Sequence, residues 1–172
     1  RQGNSPPSYS TYSSPFTLSG ADGTYNVQYY SVDDGGNSEY PVKTTQVVLD
    51  NSPPTTTLEI GSPKYLNTYV KSTTPFTLTA SDGAGSGVDE TYYRVDGGPW
   101  IPYAGAFTLS GEGSHTVEYY SVDNLGSTET WKTKTVIVDD TPPTTSLTLG
   151  SPSYMGTYVT SSTDIMLSSV DS

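Results

Sequence analysis

NSPPTTTLEIGSPKYLNTYV, beginning at Asn51, returns as DTPPTTSLTLGSPSYMGTYV beginning at Asp140. The aligned glycines Gly61 and Gly150 put the copies 150 − 61 = 89 residues apart. A second block keeps the same phase. FTLSGADGTYNVQYYSVDD from Phe16 matches FTLSGEGSHTVEYYSVDN from Phe107, and one extra residue in the first copy lowers the offset from 91 to 90. VKTTQVVLDNSPP from Val42 then matches WKTKTVIVDDTPP from Trp131 at the full 89. Self-similarity at a fixed period is the signature of tandem modules. Residues 1–50 are thus the C-terminal part of one repeat, 51–139 a complete repeat, and 140–172 the N-terminal part of a following one. The expectation is a segment of a longer protein. The alternative reading is that the two incomplete parts complement one another between chains, head to tail, by strand donation into a filament.

The complete repeat reads as strands. Residues 55–60 form a Thr-rich run between Pro54 and Gly61. Phe76, Leu78 and Ala80 alternate with Thr77 and Thr79, the period-two signature of a half-buried strand. Residues 81–87, SDGAGSG, are turn chemistry throughout. Residues 88–95 run into Asp96-Gly97-Gly98, which suits a tight hairpin returning along 100–103. A further hairpin is expected between 107–109 and 115–122, across Gly111-Glu112-Gly113. In the two copies of that strand, Val27/Tyr29 and Val117/Tyr119 share the inward face. Residues 131–138 close the module with the β-branched Val136-Ile137-Val138. No helical period is present. The expected fold is all-β: tandem immunoglobulin-like β-sandwich modules of about 89 residues built from antiparallel sheets, with no helix.

Composition narrows the function. Seven Lys+Arg against eighteen Asp+Glu give a net charge of −11, which argues against nucleic acid and anionic membranes as partners. The chain has no cysteine, so disulfides and thiolate chemistry are excluded. No apolar run reaches the roughly 18 residues of a membrane span, so no membrane insertion is expected in this segment. Seventeen Gly, thirteen Pro and fifteen Tyr fit many short strands joined by turns.

Both junctions carry paired prolines, Pro53-Pro54 and Pro142-Pro143. These fix φ and favour an extended strut, and they also keep neighbouring sheet edges from pairing.

These motifs resemble the bacterial and archaeal immunoglobulin-like surface repeats, particularly the OmpL47-type β-barrel repeat family. The resemblance rests on residues 139–145 (DDTPPTT), 81–88, 93–100, 107–124 and 126–129. It implies an extracellular or cell-surface protein whose repeats act as stalk, spacer or filament segment and contact neighbouring repeats. The alternatives are an adhesion or carbohydrate-binding module, or an accessory domain of a secreted enzyme.

No catalytic residue is expected, and the chain is read as a non-enzyme. His115 is the only histidine, the position aligned with it in the first copy is Thr24, and no G-x-S-x-G elbow occurs. The cofactor expectation is none beyond calcium, for which Asp82, Asp89, Asp123 and Asp139, with Asp33 and Asp50 in the first copy, are the candidate ligands. The bland alternative is turn chemistry. Trp100, Tyr103 and Tyr120, beside Tyr92 and Tyr93, are the candidate stacking surface for a glycan, against the commoner role of cross-strand packing.

Overall fold

The computed structural model describes residues 8–171, which are all-β with no helix. The strands are β1 (Gly23–Tyr29), β2 (Lys43–Leu49), β3 (Thr55–Ile60), β4 (Lys64–Tyr65), β5 (Tyr69–Val70), β6 (Phe76–Ser81) and β7 (Val88–Val95). They continue as β8 (Ile101–Pro102), β9 (Gly113–Asp123), β10 (Lys132–Val138), β11 (Thr144–Leu149), β12 (Ser153–Tyr154), β13 (Tyr158–Val159) and β14 (Ile165–Val170). β11 to β14 each stand 89 residues after β3 to β6, as in Thr144 − Thr55 and Ile165 − Phe76.

Residues 51–139 supply a six-stranded sheet in the order β4-β5-β10-β9-β7-β8 and a two-stranded sheet β3-β6. β4 pairs antiparallel with β5, β9 with β10 and β7 with β8, whereas β10 runs parallel to β5, with Ile137 opposite Tyr69 and Val138 opposite Val70. Outside them lie the pairs β1-β2, β11-β14 and β12-β13.

Two compact units divide the chain, and both draw on residues 51–139. One comprises the described residues up to Thr56 with Ala80–Thr91 and Tyr120–Thr130; the other comprises Thr57–Thr79, Tyr92–Tyr119 and residues from Trp131 onward.

The second unit holds the apolar core: Ile60, Val70, Phe76, Leu78, Leu109, Val117, Tyr119, Val136 and Val138. All but Leu109 come from the two sheets, which is the reason for the period-two alternation along β6, β9 and β10. Burying each such side chain contributes roughly 1.5–3 kcal/mol. The inward assignment of Val117 and Tyr119 is observed; in the first copy Val27 is half-buried and Tyr29 is exposed.

The hairpin after β7 forms as read, with Tyr93 opposite Ile101. Asp96 and Gly97 both take positive φ, 52° and 68°, the geometry that matches strand twist in a two-residue turn. The hairpin expected between 107–109 and 115–122 does not form. Residues 107–109 are not a strand, and Phe107 instead bridges to Phe76 of β6, donating to and accepting from its backbone at 3.1 and 2.8 Å. The competing force is ring burial: Phe107 stacks on Phe76 and on Tyr93, at centroid distances of 5.6 and 4.0 Å.

The first unit contains the β1-β2 hairpin, in register from Gly23 opposite Leu49 to Tyr29 opposite Lys43. It also contains a polar interior of Thr56, Ser121, Asp123 and Glu129, all under 9% exposed.

Candidate functional site

Within the first unit, three loops converge on one acidic cluster. The turn-rich loop after β6 is ordered by Asp82, whose carbonyl accepts from the Gly85 N–H and whose Oδ2 accepts from the Gly87 N–H at 2.8 Å. Asp50 follows β2 and reaches this loop, its Oδ2 accepting from the Ser86 N–H at 2.7 Å. Asp123 ends β9 and closes its own turn, with Oδ1 accepting from the N–H groups of Leu125 and Ser127, each at 2.8 Å. Asn124 fastens the two loops by donating from Nδ2 to the carbonyls of Ser86 and Gly87.

Asp50, Asp82 and Asp123 each place a carboxylate oxygen within 4.8 Å of the other two. Asp123 is 1% exposed. Among the described residues, three buried side-chain oxygens have no hydrogen-bond partner: Asp50 Oδ1, Ser86 Oγ and Asp123 Oδ2. Asp50 and Asp123 belong to the cluster, and Ser86 is the residue whose N–H donates to Asp50. Among the described residues, no ion pair from lysine, arginine or histidine reaches these carboxylates; Lys43 pairs with Glu39, Arg94 with Glu118 and His115 with Asp96. Burial is the largest influence on the Asp123 carboxyl and pushes its pKa up, but the Ser127 N–H and hydroxyl and the N–H groups of Leu125 and Gly126 outweigh it and hold it below its ordinary value.

The loop needs a glycine at its closest approach. A Cβ on Gly85 would lie 2.5 Å from Asp82 Oδ2 and 2.9 Å from both oxygens of Asp50.

Repetition shows what is particular to this cluster. Asp33, 90 residues before Asp123, closes the same turn, accepting from the Asn37 N–H at 2.8 Å. There the Asn37 side chain also donates to Asp33 Oδ2 at 2.9 Å. Ser127 replaces that asparagine in the second copy, and Asp123 Oδ2 is left without a partner.

Of the candidate calcium ligands, Asp50, Asp82 and Asp123 come together, while Asp33, Asp89 and Asp139 do not join them. Asp89 stands exposed on β7. Asp139 belongs to the other unit, where it donates its N–H to the Val70 carbonyl and lines a groove with Asp171, Pro142 and Pro143. The third member of the cluster is Asp50, which the repeat places 89 residues before Asp139. Ser86 was not singled out, because nothing in a Ser-Gly loop marks which hydroxyl is buried.

The aromatic candidates have packing partners of their own. Trp100 lies under the Arg94 guanidinium, 4.5 Å from the ring centroid, and Arg94 also pairs with Glu118 at 2.7 Å. Tyr103 meets Tyr93 edge-on at 6.4 Å. Tyr120 is half-buried on β9.

The linkers are held as well as stiffened. Pro54 is buried while Pro53, Pro142 and Pro143 are exposed. Asp22 accepts from the Asn51 N–H at 2.8 Å and from its Nδ2 at 3.1 Å. At the next junction Glu112 accepts from the Asp140 N–H at 3.0 Å and from the Thr141 hydroxyl at 3.1 Å. Asp140 in turn accepts from the Ser72 N–H.

His115 bonds Asp96 Oδ2 through Nδ1 at 2.7 Å and the Gly111 carbonyl through Nε2 at 3.1 Å. Both partners are acceptors, so both ring nitrogens donate and the imidazolium is the form that fits. Tyr25, not Thr24, is its counterpart in the first copy, since its hydroxyl donates to the Ala21 carbonyl four residues back. The Asp96 hydrogen bond raises the His115 pKa above 6.5, with the Gly111 carbonyl and the Asp96 charge adding to it and burial opposing. Asp96 is lowered below 3.8, first by the Thr116 N–H and then by His115. A raised histidine pKa gives stability that is full below the ordinary value and is lost as pH rises through the folded value. Urea unfolding midpoints are therefore expected to decline above about pH 6.5, as the raised His115 pKa is crossed, and His115→Gln is expected to flatten that decline.

Comparison with protein-family models, with curated proteins and with solved structures found no match.

Proposed function

We propose that this chain is part of an extracellular structural array, in which tandem immunoglobulin-like sandwich modules of about 89 residues act as stalk, spacer or filament segment. The observation that carries the reading is the recurrence of one device at both junctions. An acidic side chain, Asp22 or Glu112, accepts the backbone N–H of the residue that opens the linker, Asn51 or Asp140. A linker preceded by such a tie and followed by two prolines has few conformations left to lose, and successive modules then keep a fixed relation. The resemblance to surface repeats agrees with this role.

Small-angle scattering on the chain tests the reading. A profile fitted by one extended rigid body is expected, and Asp22→Ala with Glu112→Ala is expected to broaden the distance distribution. A wild-type profile of independently tumbling beads would overturn the strut.

A further inference from the structure

We propose that Asp50, Asp82 and Asp123, with the Ser86 hydroxyl, form a binding site for a calcium ion at the junction between successive repeats. Two independent observations carry it. The first is convergence: three carboxylates within 4.8 Å, reached by no ion pair among the described residues. Like charges this close repel, and folding brings them together across 73 residues of chain, from Asp50 to Asp123. The second is the set of orphaned oxygens. Asp123 is 1% exposed and its Oδ2 has no partner, Asp50 Oδ1 of the same cluster has none either, and the buried Ser86 Oγ, likewise unpartnered, belongs to the residue whose N–H donates to Asp50. Buried carboxylate oxygens in native proteins are paired or coordinate a metal.

The donor set selects the ion. All the oxygens are hard, with no cysteine in the chain and the only histidine occupied by Asp96 and Gly111, which excludes a zinc-type site. Calcium takes six to eight oxygens in flexible geometry from loops, whereas magnesium demands a near-ideal octahedron and keeps most of its water. Hydrogen bonds already fix the loops: Ser86 to Asp50, Gly87 to Asp82, and Leu125 and Ser127 to Asp123. These consume one oxygen of each carboxylate and preorganise the rest. Asp50 belongs to one repeat, and Asp82, Ser86 and Asp123 to the next, so the ion ties the two. Tying the array rests on the function proposed above, but binding does not.

Calorimetric titration of the EGTA-treated chain with CaCl2, with MgCl2 in parallel, tests binding directly. A saturable calcium site with a dissociation constant on the order of 10⁻⁴ M is expected, as for extracellular modules. Thermal unfolding in about 5 mM CaCl2 is then expected to run roughly 5–10 °C above that in EGTA. The Asp50→Asn, Asp82→Asn double variant keeps an oxygen acceptor at each position. It is expected to lose the calcium response while unfolding in EGTA at or above the wild-type midpoint, since two repelling charges are gone. No calcium heat together with identical wild-type curves in CaCl2 and EGTA would overturn the proposal, as would a calcium response that survives in the double variant. An equal response to MgCl2 would overturn the choice of ion. Failure of the rod-like scattering profile with calcium binding intact would sink the array and leave the site.

Discussion

Replacing Phe76 by alanine is expected to remove about 3–5 kcal/mol of stability, seen as a lower urea midpoint with the slope unchanged. Phe76 is 0% exposed, and so are Val117 and Val136. Its ring stacks on Phe107 at 5.6 Å with 21° between planes, and Phe107 stacks in turn on Tyr93 at 4.0 Å. The same two residues are joined through the backbone by a pair of hydrogen bonds, so Phe107 cannot follow the lost ring inward without breaking them. A cavity whose walls are pinned costs more than the transfer energy of the missing atoms. Phe76→Leu, which keeps much of the volume, is expected to lose about 1–1.5 kcal/mol. Ile165 is the control: it occupies the same place one period later, is 60% exposed in this chain, and on alanine substitution is expected to change stability by less than about 0.5 kcal/mol. Equal losses at positions 76 and 165 would show that the buried environment of Phe76 is not what sets its cost.

The parts of this fold that were legible in the sequence are those fixed by neighbours along the chain. The run at 55–60 is β3, and the alternation of Phe76 and Leu78 is the buried face of β6, because the pleat makes side-chain direction a local property. The Asp96-Gly97 turn is likewise local, set by two positive φ angles. Where partners are distant the sequence reading failed. Phe107 sits in a run that suits a hairpin, yet it answers to Phe76, 31 residues back. The parallel contact of β5 with β10 joins residues 68 apart and leaves no trace in either strand's pattern. The acidic candidates behave the same way. Every one is an aspartate in a turn, and composition cannot say which turns meet. Asp82 and Asp123 do, Asp89 and Asp139 do not, and the partner is Asp50. The repeat itself held the sharpest available clue, the exchange of Asn37 for Ser127 that removes a donor from one copy of an otherwise matching turn.

Glu129→Ala is expected to cost about 3–5 kcal/mol, although Glu129 is no member of the apolar core and its loss removes a charge from a chain of net charge −11. Its side chain is buried at 8% exposure, and its carboxylate accepts from the Ser121 N–H at 3.1 Å, from the Thr56 N–H at 3.2 Å and from the Thr56 hydroxyl. Thr56 and Ser121 are 1% and 0% exposed, and Ser121 Oγ also lies 2.8 Å from the Thr91 hydroxyl, so one carboxylate organises three segments of the first unit. Deleting it strands buried donors that water cannot reach, and each stranded donor costs roughly 1–3 kcal/mol. Glu129→Gln keeps one acceptor oxygen and turns the other into a donor facing donors, so its loss is expected to fall between those of alanine and wild type. Glu39 supplies the internal comparison. It accepts from the Ser31 N–H at 3.2 Å as Glu129 does from Ser121, but its side chain is 32% exposed and paired with the exposed Lys43, where solvent replaces what is removed. Glu39→Ala is therefore expected to leave the unfolding midpoint almost unchanged. Amide exchange separates the mechanisms: the Thr56 and Ser121 N–H groups should exchange faster in Glu129→Ala even under strongly native conditions, before global unfolding contributes. If their protection persists, the carboxylate is not the acceptor that holds them, and the polar interior of this unit is organised by the Thr56, Thr91 and Ser121 hydroxyls alone.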